Sequence, residues 1–172
     1  MASNMRNPQK GHEALRRGRL SLAGATYFLT ICTEGQRVGL EAPVLTAEIL
    51  AMTRDSACGW EVRSGAIMPD HVHLVVRLKE SSVLPGAIRL FKGRTSVSLR
   101  RHQLKWERGY YDHRLRCDED VWPVLLYVFL NPYRANLLPV SEPWSGYYCC
   151  PEDWEWFGPR TNQACPFPEW LR

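Results

Sequence analysis

Residues 68–76 read Met-Pro-Asp-His-Val-His-Leu-Val-Val, which places His71 and His73 one residue apart in an otherwise apolar run. Successive side chains of a strand point to opposite faces, so the two imidazoles share one face and Val72 and Leu74 take the other. Two imidazoles on one face can share a metal ion. Alone, the pattern is more often chance or a structural pair than a metal site. A second pair lies in "YVFLNP", where Tyr127 and Asn131 are four residues apart and therefore on one face of a helix. That face carries a phenol and an amide inside an apolar stretch. A buried tyrosine is commonly core with a satisfied hydroxyl, and an asparagine before proline commonly marks a helix end. The two pairs together are harder to dismiss than either one.

The segments around these residues predict the elements that must position them. Ala25–Thr33 is β-branched and aromatic and reads as a strand. Residues 44–59 have apolar side chains at helical spacing, with Gly59 as the stop. Trp60–Met68 reads as a second strand. After the break at Pro69-Asp70, His71–Leu78 reads as a third, so the two can form a hairpin. Residues 83–104 predict a helix starting near Pro85. Gly109–Arg116 predicts a fourth strand. Residues 118–131 predict a helix with its acids in the first turn, where the helix dipole favours them, and with Pro123 early in it. Asn131-Pro132 should end or bend that helix. From Pro139 the chain is rich in Pro and Trp and is expected to wrap the surface. The order predicts an α+β sandwich, with helices on one face of an antiparallel sheet.

At 172 residues the chain fits one domain with a real hydrophobic core. It has no apolar run long enough to cross a membrane and no apolar segment of secretory type near its start, so the expectation is a cytoplasmic protein without membrane association. The six cysteines form no CxxC pair, and in that compartment they read as reduced and structural. Cys149, Cys150 and Cys165 lack a matching fourth ligand for zinc.

The net charge of +4 is unevenly spread. Residues 1–20 hold five Lys/Arg against one Glu, residues 89–116 hold nine against two acids, and residues 118–172 hold three Arg against eight acids. A basic middle with an acidic end suggests one surface facing a polyanion. Its candidates are Arg16, Arg17 and Arg19 in an N-terminal arm, then Arg89, Lys92, Arg94, Arg100, Arg101 and Lys105 before the fourth strand, with Arg114 within it. Phosphate contacts from such residues confer affinity and salt dependence, not sequence choice. Trp106, Tyr110 and Tyr111 are candidates to stack on unpaired bases. Tyr110 and Tyr111 face opposite ways on a strand, so at least one of them should be core.

"MPDHVHLVV", "WERGYYDHRLR" and "YVFLNPYRANL", followed by "WSGYYC" and preceded by "YFLTICTEGQR", resemble the single-tyrosine HUH transposases, in particular the REP-associated tyrosine transposases of the insertion-sequence-200-like group. The resemblance covers about Ala25 to Tyr148. It implies a ferredoxin-like fold whose sheet carries the histidine pair, with Tyr127 as catalytic nucleophile. It also implies His71 and His73 as ligands of a divalent Mg²⁺ or Mn²⁺ and Asn131 as the third ligand. His113 and Arg114 match a segment of the family but receive no role from it. The implied activity is metal-dependent cleavage and strand transfer on single-stranded DNA with a palindromic, REP-like hairpin, through a 5′-phosphotyrosine. The implied setting is bacterial and nucleoid-associated. No phosphate-cradling glycine motif is present, in keeping with chemistry that needs no ATP.

The expected organisation is a basic arm over residues 1–24, a catalytic domain over 25–148 and an acidic Pro/Trp-rich tail over 149–172. A monomer is favoured over a homodimer, because the tail can cover a dimer surface. Two other functions fit the same residues. One is a non-catalytic binder of DNA or RNA hairpins on this fold. The other is a metal-dependent hydrolase that uses water in place of Tyr127.

Overall fold

A computed structural model describes residues 21–116 and 118–161. The elements in chain order are β1 (Thr26–Cys32), α1 (Pro43–Thr53), β2 (Trp60–Ile67), β3 (His71–Leu78), α2 (Leu84–Arg101), β4 (Tyr111–Arg114), α3 (Trp122–Arg134), β5 (Tyr147–Cys149) and α4 (Pro151–Thr161). The strands form one sheet in the order β4-β1-β3-β2-β5. Every neighbouring pair is antiparallel. No helix among the described residues is long and apolar enough to cross a membrane.

β3 is the central strand and explains the layers. Its consecutive residues Val75 and Val76 are both fully buried, so both faces of the sheet are covered. On one face, Leu29 and Ile31 of β1 and Val72, Leu74 and Val76 of β3 pack with Ile49 of α1 and Ile88 and Phe91 of α2. On the other, Ala66 and Val75 pack with Leu125 and Val128 of α3 and Phe157 of α4. The α+β antiparallel architecture is as expected. The helices, however, occupy both faces and not one: an apolar run that alternates onto two faces needs a layer against each.

Local differences have local causes. α1 ends at Thr53. A separate 3-10 turn, Ser56–Cys58, follows, capped by Asp55, whose side chain accepts from the Ala57 N–H. Gly59 (φ +84°) then closes that turn, not the helix. α3 starts at Trp122, so the acidic run precedes it, and Asp120 accepts from the Trp122 N–H at 2.9 Å. Pro132 lies inside α3, which runs on to Arg134. A proline there removes one ladder bond near the helix end. The end is closed by Leu137 N–H to Pro132 O and Asn136 N–H to Tyr133 O, both 3.0 Å. Asn136 adopts φ +54° in this left-handed cap.

Residues from 147 onward do not simply wrap the surface. β5 extends the sheet beside β2, and α4 buries Phe157 and Asp153. α4 opens on Pro151 with Glu152 and Asp153 in its first turn, which is a helix-start signal. The register shift between Val62 and Ser64 leaves Arg63 at a bulge in β2. Arg63 pairs with Asp153 of α4 at 2.6 and 2.8 Å.

Candidate active site

The sheet face beneath α3 is built in cross-strand rows. Thr30 of β1 stands opposite His73 of β3, and Tyr111 of β4 stands opposite Thr30. One row along, Cys32 stands opposite His71. His71 and His73 share this face, and their Nε2 atoms are 3.0 Å apart. α3 brings Tyr127 over the pair: the Tyr127 ring centroid lies 5.3 Å from His73 and 5.7 Å from Phe28. Phe28 in turn stacks on His73 at 5.3 Å. Asn131 follows Tyr127 by one helical turn and is half-buried. Neither its amide nor the Tyr127 hydroxyl hydrogen-bonds to another described side chain.

Each imidazole is held from behind. Asp70 Oδ1 accepts from His71 Nδ1 at 2.6 Å, and Thr30 Oγ1 lies 3.0 Å from His73 Nδ1. A proton on His71 Nδ1 leaves its Nε2 as a lone-pair donor. The Thr30 hydroxyl can give or accept a proton, so His73 has two arrangements. Its Nε2 either donates to His71 or turns a second lone pair into the same space. Burial, and then repulsion by His71, push the His73 pKa from 6.5 down to about 3, with hydrogen bonding to the Leu29 backbone offsetting only part of this. His73 is therefore neutral near pH 7, the state a metal ligand requires.

The donor set fits a divalent cation. Two nitrogens bound at right angles to one ion at about 2.1 Å would stand about 3 Å apart, as the two Nε2 atoms do. Among the described residues no group of three His, Cys, Asp or Glu is placed to hold a metal. The Asn131 amide, without a hydrogen-bond partner among the described side chains, is the candidate third ligand.

The expected basic surface is divided. Arg89, Lys92, Arg94, Arg100 and Arg101 belong to α2, which packs on the opposite face of the sheet. Arg94 pairs with Asp55 at 2.6 Å, Arg101 with Glu48 at 3.1 Å and Lys105 with Glu34 at 3.8 Å. Lys92 donates to the Glu107 and Gly109 carbonyls. Arg114 is the register partner of Tyr27, so it too lies away from the histidines. Arg16, Arg17 and Arg19 fall outside the described residues, as do Cys117 and Cys165.

Sequence reading passed over three neighbours of the site. Thr30 is a polar residue within "TYFLTIC" whose partner is visible only through strand pairing. Asp70 adjoins His71 in the chain and was legible there. Arg134 carries its guanidinium 5.4 Å from the Tyr127 ring centroid. It sits two turns beyond Tyr127, so the positions 127, 131 and 134 trace one helix stripe.

A sheet with helices on both faces, a histidine pair on its central strand and a helix-borne tyrosine above it define the class. The profile of the family "Transposase IS200 like" matches residues 25–116, and the chain belongs to that family. The matched segment contains β1 to β4 and both histidines and stops before α3, so Tyr127 and Asn131 are brought to the site by the fold. Among curated proteins, a candidate REP-associated tyrosine transposase of Haemophilus influenzae is 28% identical, over 51% of this chain and 62% of that protein. The chain thus spans less than two thirds of that relative's length. Among solved structures, a REP-associated tyrosine transposase bound to a REP hairpin is 21% identical with a TM-score of 0.57, covering 70% of this chain and 73% of that one. That likeness shows the fold.

Proposed function

We propose that this chain is a metal-dependent transferase of single-stranded DNA, acting on palindromic REP-like hairpins with Tyr127 as nucleophile. The observation that supports the reading is the Tyr127 ring 5.3 Å from His73, with His71 and His73 presenting Nε2 atoms 3.0 Å apart. The Tyr127 oxygen attacks the scissile phosphorus, and the bond from phosphorus to the 3′ oxygen breaks. The products are a 5′-phosphotyrosine and a free 3′-hydroxyl. The phenol proton passes to solvent, and the departing oxygen takes one up. The 3′-hydroxyl of a second DNA end later displaces Tyr127, so one difficult exchange is split into two steps. His71, His73 and Asn131 would hold a Mg²⁺ or Mn²⁺, which would polarise the phosphate and offset charge on the departing oxygen. Arg134 supplies a fixed positive charge beside the nucleophile, where an incoming phosphate would find it.

A denaturing gel tests this. Hairpin DNA labelled on the 3′ side of the cut is incubated with protein and Mn²⁺ or Mg²⁺, beside Tyr127→Phe and His71→Ala. The expected result is a metal-dependent protein–DNA adduct that both substitutions abolish. Cleavage without adduct that survives Tyr127→Phe would replace the reading with a water-using hydrolase. Binding without any cleavage would replace it with a hairpin-binding protein.

A further inference from the structure

We propose that Tyr111 is a stacking platform for one unpaired base of the bound DNA strand, at the edge of the sheet beside the cleavage site. The inference rests on the single-stranded DNA reading above and deepens it. Among the described residues only two Phe, Tyr or Trp side chains are exposed, Tyr111 at 46% and Trp154 at 41%. Trp154 belongs to α4 and is engaged with Phe129, Tyr147 and Phe157 at 6.0 to 6.5 Å.

Tyr111 is placed differently. It lies in the row Tyr111–Thr30–His73 and so shares the histidine face. Two strand spacings put its backbone about 10 Å from that of His73, within one or two nucleotides of a phosphate held there. Its ring meets that of Phe28 in a T-shaped contact at 6.3 Å and 67°, and Phe28 also stacks on His73. Among the described residues β4 is the outermost strand of the sheet, so none of their strands covers Tyr111 from that side. A ring held against Phe28 and still 46% exposed loses little freedom when a base lies on it, and every base has a face to offer. The other two candidates from the sequence are used in packing. Trp106 donates to Thr95 Oγ1 at 2.8 Å, and Tyr110 packs against the α1/α2 core. A strand leaving the histidines over Tyr111 crosses the sheet edge toward the α2 layer, where Arg89 and Arg100 have no carboxylate partner among the described residues.

The test is a binding cycle in the full chain. Wild type, Tyr111→Phe and Tyr111→Ala are titrated by fluorescence anisotropy against a labelled hairpin with unpaired flanks. Each flank nucleotide is replaced in turn by an abasic one. Tyr111→Phe is expected to bind like wild type, and Tyr111→Ala about 5- to 100-fold more weakly. One abasic position should weaken wild type by a similar factor and leave Tyr111→Ala unaffected. Equal affinity of Tyr111→Ala and wild type would overturn the inference. So would a loss in Tyr111→Ala with no abasic position coupled to it, because that loss is structural. If wild type binds no hairpin at all, the underlying function fails and this inference with it, an outcome distinct from the other two.

Discussion

His71 and His73 can present Nε2 atoms to one another at 3.0 Å because Asp70 and Thr30 hold the opposite nitrogens. Partners behind a ligand fix its ring orientation and tautomer, and their loss typically costs about 10- to 100-fold in metal affinity. Asp70→Asn should therefore weaken Mn²⁺ binding by about that factor, measured calorimetrically, with the far-UV spectrum and melting temperature close to wild type. Thr30→Ser should retain affinity and Thr30→Val should lose it, since only the hydroxyl can accept from His73 Nδ1. Unchanged Mn²⁺ affinity in Asp70→Asn would show that the carboxylate does not orient His71. The residue types were legible in the chain. Asp70 stood beside His71, but Thr30 needed the β1–β3 register to reveal its partner.

Among the elements, α4 does the least expected work. It is fastened to the β2 bulge by the pair between Arg63 and Asp153, whose side chains are 27% and 7% exposed. Burial alone would raise the Asp153 carboxyl. The hydrogen bonds from Arg63 and Cys150 outweigh it and hold the pKa below the ordinary 3.8. The unfolded chain then binds the proton more readily than the folded one. The contribution is present above about pH 4 and disappears as pH falls through the lower folded value. Asp153→Asn should destabilise by about 1–3 kcal/mol at pH 7, between an exposed and a fully buried pair. In urea titrations the gap from wild type should close as pH falls below 4. A gap independent of pH would show that the ionised carboxylate is not what matters. Pro151 with Glu152 and Asp153 after it was a local signal for the start of the helix, but its fastening was not legible, because the bulge that carries Arg63 lies far away in the chain.

At the scale of the molecule, the sheet separates a large core from a small one. The α1/α2 side is rich in buried aliphatics, whereas the buried residues of the site side are Ala66, Val75, Leu125, Val128 and Phe157. Phe157 is fully buried and touches Phe129 of α3 at 5.8 Å, so it supports the helix that carries Tyr127. Phe157→Ala should cost about 3–5 kcal/mol. Native-state hydrogen exchange should show α3 and α4 losing protection well before α1 and α2. Equal loss on both sides would mean that the layers open as one unit. The charge distribution divides the same way, with the basic helix α2 on the face away from the histidines. The sequence counts showed a basic block but not which side it would take.

The strand and helix periods, the pairing of His71 with His73 on one face and the helical spacing of Tyr127 and Asn131 were all written in the chain. Each follows from the geometry of a few consecutive residues. β3 also carried the sign of two covered faces, in its unbroken apolar run. The meeting of Tyr127 with His73, the service of Thr30 behind an imidazole and the exposure of Tyr111 but not Tyr110 or Trp106 were decided by tertiary structure. These depend on which strands pair, in which register and beneath which helix, and such contacts join residues whose separation along the chain carries no local signal.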